Sequence, residues 1–173
     1  MGDRAVKVYR DIFTTIHHWI SGTTADLTAE SASWSPGGNC ATAGGNFAHL
    51  ALGQDFFINT LIRNAPKLSE TTFAGKTGFD LPYPDGPWTE WARTARFDLD
   101  QLRTYCDAVF ANTDAYLATL TDADLDREID LSGMGWGIKT VSGLLDMIAV
   151  DGASHNGETS AIKGMQGKQG YPF

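Results

Sequence analysis

The stretch from 140 to 165 constrains the fold most, because its apolar residues recur at three- and four-residue steps. This spacing places them on one stripe of an α-helix. The stripe begins as an apolar seam and continues with Asp151, His155 and Glu158, where further core residues are expected. Burying such groups without partners is costly, and a metal ion is one natural candidate for the missing partner. The stretch therefore predicts a long helix with a polar site on its inward face.

Length and charge limit the classes of protein to consider. The chain has 173 residues, 42% of them hydrophobic, which predicts one domain spanning residues 1–173 with a core of its own. Its 21 acidic residues outnumber the 13 basic ones, and its formal net charge is −8. A nucleic-acid surface needs clustered Lys and Arg to displace counterions from phosphates. We therefore expect no nucleic-acid partner.

The expected location is the cytoplasm, without contact to a membrane. The opening residues MGDRAVKVYRD contain no apolar region of the kind that signal peptides carry. No apolar run approaches the roughly 20 residues that span a bilayer. Cys40 and Cys106 lie far apart and form no CxxC pair, so we interpret them as reduced thiols in the core.

Four long amphipathic segments predict an all-α fold. Asn39 is the predicted N-cap of the second helix, Asp98 opens the third in a pattern similar to a capping box, and Thr140 caps the fourth. Between the third and fourth helices, the glycine-rich stretch predicts a loop with at most a small hairpin. The predicted helices run from about 4 to 20, 40 to 63, 99 to 120 and 141 to 164. They indicate a four-helix bundle.

A long crossover joins the second and third predicted helices, from Asn64 to Phe97. It contains four of the six prolines, and a connection this long in a compact domain is usually functional. It allows the two helices to run parallel rather than as a hairpin. Pro87 predicts the start of a short helix, and we interpret Trp88 and Trp91 as covering the bundle rather than lining a pocket. The crossover is a candidate substrate cover.

Three polar residues interrupt the inward faces: His49 in the second helix, and Asp151 and His155 in the fourth. Two imidazoles and a carboxylate suffice to bind a divalent ion while leaving positions open to water or substrate. Zinc, nickel and ferrous iron all remain candidates. Glu158 is placed to accept the second N–H of His155 and fix that ring. Alternatively, the histidines are hydrogen-bonded core residues and Asp151 pairs with a Lys or Arg.

The remaining histidines and the motifs that the sequence lacks add less to the functional interpretation. His17 and His18, near the end of the first helix, are interpreted as residues that interact with the helix dipole or cap carbonyls. The sequence has no HExxH, no ExxH, no GxSxG and no phosphate-binding GxxxxGK[ST]. These absences exclude the zinc-protease helix, the carboxylate-bridged di-iron bundle, the nucleophile elbow and the P-loop.

Three segments resemble the DinB-like superfamily of small four-helix metalloenzymes: SWSP, NFAHLALGQDFF and DGASHNGETSAIKGMQGKQGYPF. The resemblance implies an up-down-down-up bundle with the long crossover between helices two and three. The family's three metal ligands, commonly all histidines, fall on His49, Asp151 and His155. Asp151 is therefore a departure from the common pattern, and aspartate is shorter and harder than imidazole.

The resemblance also implies a function, with two alternatives. The first hypothesis is a thiol-dependent transferase or isomerase acting on a small electrophile, with a divalent metal and a low-molecular-weight thiol as cofactors. The second is a non-catalytic, stress-associated bundle, with homodimerisation as an option, whose metal site is vestigial. The third is a metal-dependent hydrolase, in which the ion activates water.

Overall fold

The computed structural model describes residues 3–80 and 88–173 and is mostly helical, as predicted. The predicted helix start at Pro87 lies outside the described residues. Within these described ranges the α-helices are α1 (Arg4–Thr24), α2 (Ala29–Ser33), α3 (Ala43–Asp55), α4 (Trp88–Thr94), α5 (Leu99–Leu117) and α6 (Val141–Met165). A π-helical segment, Phe56–Ile62, continues α3, and short 3-10 turns occupy Leu68–Glu70, Asp122–Asp126 and Ser132–Met134. Strands β1 (Glu128–Asp130) and β2 (Ile138–Thr140) form the small antiparallel hairpin.

Helices α1 and α6 run parallel. Near the start of both helices, the Tyr9 hydroxyl donates to the Asp146 carboxylate over 2.9 Å. Near their ends, the buried Lys163 ammonium donates to the Thr23 carbonyl over 2.6 Å. A cation at the carboxyl end of α1 also interacts favourably with the helix dipole.

Helix α3 runs antiparallel to α6. His155 is in the second half of α6, and its ring centroid lies 4.7 Å from that of His49 in α3. Two turns later, the Phe57 ring stacks on Trp136, which precedes α6. Because α6 is parallel to α1, α3 also runs antiparallel to α1.

Helix α5 is antiparallel to α1 as well. The Arg103 guanidinium, near the start of α5, donates to the carbonyl of Thr24, the last residue of α1, and to that of Leu27, just beyond the helix. The Val6 N–H, near the start of α1, donates to the Asp122 carboxylate just beyond α5. The second and third long helices are thus parallel, and the up-down-down-up arrangement with its long crossover is confirmed.

The core lies between these helices and divides into two clusters. The buried face of α5 includes Leu102, Val109 and Leu117, which are all fully buried. Cys106 is also buried, but Cys40 is exposed, so its interpretation as a core thiol is wrong. Among the described residues, no helix combines the length and apolarity that crossing a membrane requires.

Several helix ends differ from the prediction: α5 ends at Leu117 rather than near 120, and the end of α1 and the start of α3 also differ. Helix α1 continues past its predicted end near Ile20 to Thr24, and Pro172 packs against Gly22, 2.6 Å from where a Cβ would lie. Helix α3 begins at Ala43 rather than Cys40, since the Thr42 hydroxyl, and not Asn39, accepts the capping hydrogen bond from Gly45. Both Thr and Asn are good caps, and tertiary contacts choose between them.

The glycine pair in α3, Gly44 and Gly45, marks a close approach of other elements to this helix. A Cβ on Gly44 would lie 2.5 Å from the Phe97 ring, and one on Gly45 would collide with the Ala92 backbone of α4. The Thr42 hydroxyl also donates to the Ala92 carbonyl over 2.9 Å. These contacts fix α4 against the first half of α3.

Candidate metal centre

The candidate centre lies where α3 and α6 face each other. His49 is in the middle of α3, and Asp151 and His155 are one turn apart on α6. The Thr140 hydroxyl caps α6 by accepting from the Gly143 N–H over 3.0 Å, as the sequence predicts. Residues four apart on a helix lie one above the other, so the antiparallel packing brings both α6 side chains to His49.

The three side chains converge on one point. Asp151 directs one carboxylate oxygen at each ring: Oδ2 lies 3.6 Å from Nε2 of His49, and Oδ1 lies 3.4 Å from Nε2 of His155. One ligand atom from each residue lies within 4.8 Å of the others. Tetrahedral ligands at zinc distances of about 2.1 Å are about 3.4 Å apart. The donor set and spacing therefore fit a divalent ion.

The three side chains of the cluster are more exposed to solvent than their predicted positions on the inward helix faces indicated. The side chains of His49, Asp151 and His155 are 28%, 45% and 23% exposed, respectively. The cluster thus lies at the edge of the bundle rather than in its interior. The helix crossing, which the sequence pattern does not specify, sets this depth. An open site leaves room for water or substrate beside a bound ion.

Glu158 contacts the far side of the His155 ring. Its Oε2 accepts from Nδ1 of His155 over 2.6 Å, which leaves Nε2 directed at Asp151. Such a contact fixes the tautomer and orientation of a metal-binding imidazole. The alternative pairing of Asp151 with Lys or Arg is not found among the described residues, where its charged partners are His49 and His155.

The electrostatics of the cluster favour charged forms. Partial burial raises the pKa of Asp151, but polar contacts with His155 and His49 and their positive charge outweigh burial and leave it well below its usual value. The Asp151 contact, opposed by burial and supported by Glu158, raises the pKa of His155 to about 9. In the metal-free protein, His155 is therefore protonated at neutral pH and must lose that proton to bind a metal.

Trp88 borders the cluster, contrary to the interpretation that it only covers the bundle. Its ring lies 4.4 Å from His49 and 4.6 Å from Trp91, between centroids. Trp91 does have the covering role, since its indole N–H donates to the Asp80 carbonyl and its ring packs against Phe79. Sequence reasoning missed the contact of Trp88 with His49, because the placement of α4 against α3 depends on tertiary packing.

The first helix contributes no residue to the cluster. The buried His17 ring stacks on Phe110 at 3.9 Å and lies against the Gln54 amide. Burial lowers the pKa of His17, although Asp114 opposes the effect. His17 is therefore a core residue rather than the helix-end residue that the sequence indicated, while His18 is exposed.

An up-down-down-up bundle with a His/Asp/His cluster between antiparallel helices defines a helical-bundle protein with a candidate metal centre. The family model that matches residues 15–159 is described as the DinB superfamily, and the chain belongs to that superfamily.

Two solved structures show the same fold. A conserved protein from Enterococcus faecalis is 20% identical, with a TM-score of 0.78 over 94% of this chain and 96% of that one. A DinB-like protein from Bacillus subtilis is 18% identical, with a TM-score of 0.66 over 95% and 96% of the two chains. No curated protein matches the chain in sequence.

Proposed function

We propose that this protein is a metal-dependent enzyme in which His49, Asp151 and His155 bind one divalent ion. The convergence of three ligand atoms from two helices within 4.8 Å carries the proposal. The reaction is transfer or isomerisation on a small electrophilic substrate, with a low-molecular-weight thiol as the second cofactor.

The donor set limits the metal and its chemistry. Two imidazole nitrogens and a carboxylate oxygen suit zinc, nickel or ferrous iron. When bound, such an ion holds a thiol sulfur and favours the thiolate, which is the reactive nucleophile.

The chain's own residues position and shield this centre. Glu158 fixes the His155 ring through Nδ1, so Nε2 stays directed at the site. The two oxygens of Asp151 face one imidazole each and bring negative charge between them. Trp88 lies against His49 and limits the access of water to that ring.

Metal analysis of the purified protein tests the site. We expect about one ion per chain in the wild type and loss of most of it in His49→Ala and in His155→Ala. His18→Ala is the matched control, because His18 is exposed on α1. If His49→Ala and His155→Ala retain as much metal as the wild type, the assigned site is wrong.

A second candidate is a non-catalytic bundle, proposed as a homodimer, with a vestigial site. One observation favours it: without an ion, Asp151 faces two histidines, and Glu158 pairs with His155, so the charges already have partners. Full thermal stability of the metal-free protein, unchanged by zinc, nickel or ferrous iron, would support this candidate. Turnover without any thiol would instead indicate a metal-dependent hydrolase.

A further inference from the structure

Gly53 is a glycine of α3 that packing does not explain. Gly44 and Gly45 admit Phe97 and the Ala92 backbone, but a Cβ on Gly53 would meet no atom within 4 Å. Glycine in a helix interior is destabilising relative to alanine. Its effect at this position is therefore to keep space open at the surface of α3.

This open space borders the candidate metal centre. Gly53 lies one turn after His49 on the same side of α3. Together with Asp151 of α6, it lines a narrow cavity of about 20 Å³, which also contacts Phe57 and Ile148. Such a cavity has room for about one water molecule. A side chain at Gly53 would therefore enter the gap between the two helices beside Asp151.

The same carboxylate borders a larger, open groove along α6. This groove has a volume of about 400 Å³ and is lined by Asp146, Met147, Val150, Asp151 and Ser154. The volume falls within the range of small-molecule sites. Met147 is 37% exposed and Val150 is 66% exposed, so both present apolar surface to a ligand. None of the lining residues is cationic.

We propose that this open groove, with Met147 and Val150 of α6, and the narrow cavity beside Gly53 of α3, whose lining shares Asp151 with the groove, together bind the apolar part of the substrate. The inference rests on the proposed function, because the polar end of the same molecule reaches the His49, Asp151 and His155 cluster. The substrate class is a small molecule with an uncharged alkyl or aryl group next to its metal-binding atoms. A negatively charged group in that position would be repelled by Asp146.

Ligand binding to the cobalt-loaded protein tests the groove, with the visible bands of the metal as the signal. The probes are acetohydroxamate, octanohydroxamate and an eight-carbon hydroxamate with a terminal carboxylate. All three offer the same metal-binding group. We expect the wild type to bind octanohydroxamate at least tenfold more tightly than either of the other two, because only its chain is both long and uncharged.

Variants locate the preference. Gly53→Leu fills the open space, so we expect it to lose most of the chain-length advantage while its metal content is unchanged and its affinity for acetohydroxamate stays within twofold. Gly164→Leu is the matched control, because Gly164 is also a glycine of a long helix whose Cβ would meet nothing within 4 Å. It should keep the full preference. Val150→Ser, at an exposed position, should weaken the preference without a risk to folding.

The outcomes separate the two proposals. A wild-type protein that binds no metal overturns the proposed function, and the groove proposal with it. Bound metal with equal affinity for the short and long probes overturns the groove proposal alone. A chain-length preference that survives in both Gly53→Leu and Val150→Ser has the same consequence, because binding would then use another surface.

Discussion

The charge state of His155 determines how the candidate centre responds to pH. This ring has a carboxylate facing each nitrogen, and its pKa of about 9 lies above the usual value of 6.5. A metal replaces the proton, so binding below pH 9 has to displace it. We expect the apparent metal affinity to rise about tenfold per pH unit between pH 7 and pH 9, with release of one proton. Competition with a chelator of known affinity at each pH measures this slope.

The stability of the metal-free protein should change in the opposite direction. The folded pKa of His155 is raised, so its contribution is fully present below 6.5 and is lost as the pH rises through 9. His155→Ala should remove this part of the pH dependence and provides the control. A metal affinity that is flat between pH 7 and pH 9 would contradict the assigned ligand.

Asp55 is a second residue whose role is local and strong. Its fully buried carboxylate accepts hydrogen bonds from the N–H groups of Leu68 and Ser69, from the Asn59 amide and from the Tyr105 hydroxyl. Burial, with the nearby Asp55 charge, raises the pKa of Tyr105 far above its usual value, so the hydroxyl stays a donor. Asp55 thereby attaches the start of the crossover to α3 and α5.

Replacing this carboxylate tests its role. Asp55→Asn keeps the size but turns one acceptor into a donor that faces other donors, so we expect a loss of about 2–4 kcal/mol in the free energy of unfolding. Urea denaturation measures the loss. Asp107→Asn, at an exposed position of α5, is the control and should change stability by less than about 0.5 kcal/mol. A loss no larger than the control's would show that the network is dispensable.

At the scale of elements, two of the three glycines in α3 have opposite effects on packing. A Cβ at Gly45 would lie 3.0 Å from the Ala92 Cα and closer still to its carbonyl, whereas a Cβ at Gly53 would meet nothing. Gly45→Ala should therefore displace α4 and cost about 2 kcal/mol, while Gly53→Ala should stabilise the helix by about 0.5–1 kcal/mol. Thermal or urea unfolding of both variants measures the two signs. Equal effects would refute the packing difference.

The helices could be predicted because hydrophobic periodicity is a local property of the sequence. Some of their ends could not, because packing against other elements determines where those helices begin or end. Thr140 and Asp98 cap α6 and α5 as predicted. At the start of α3, Asn39 and Thr42 both suit a cap, and the Ala92 carbonyl of α4 selects Thr42. Gly22 lies just beyond the predicted end of α1, but the helix continues to Thr24, and Pro172 packs against Gly22.

At the scale of the whole molecule, the sequence could indicate which residues form the cluster but not how they are exposed. His49, Asp151 and His155 interrupt apolar stripes, and that pattern, with the family resemblance, was enough to select them. The relative position of α3 and α6 sets their exposure, and the placement of α4 brings Trp88 to His49. Neither depends on a local pattern. The roles of His49, Asp151 and His155 as metal ligands stay predictions.

Because the cluster joins two helices that are distant in sequence, metal binding should stabilise the entire bundle. A ligand that binds only the folded state at 100 times its Kd adds about 2.7 kcal/mol, which for a chain of this size is roughly 5–10 °C in Tm. Thermal unfolding with zinc or nickel and then with excess chelator measures the shift. His49→Ala should show none, while His18→Ala should match the wild type. An equal shift in His49→Ala would mean that the ion binds elsewhere, because the link between α3 and α6 requires that imidazole.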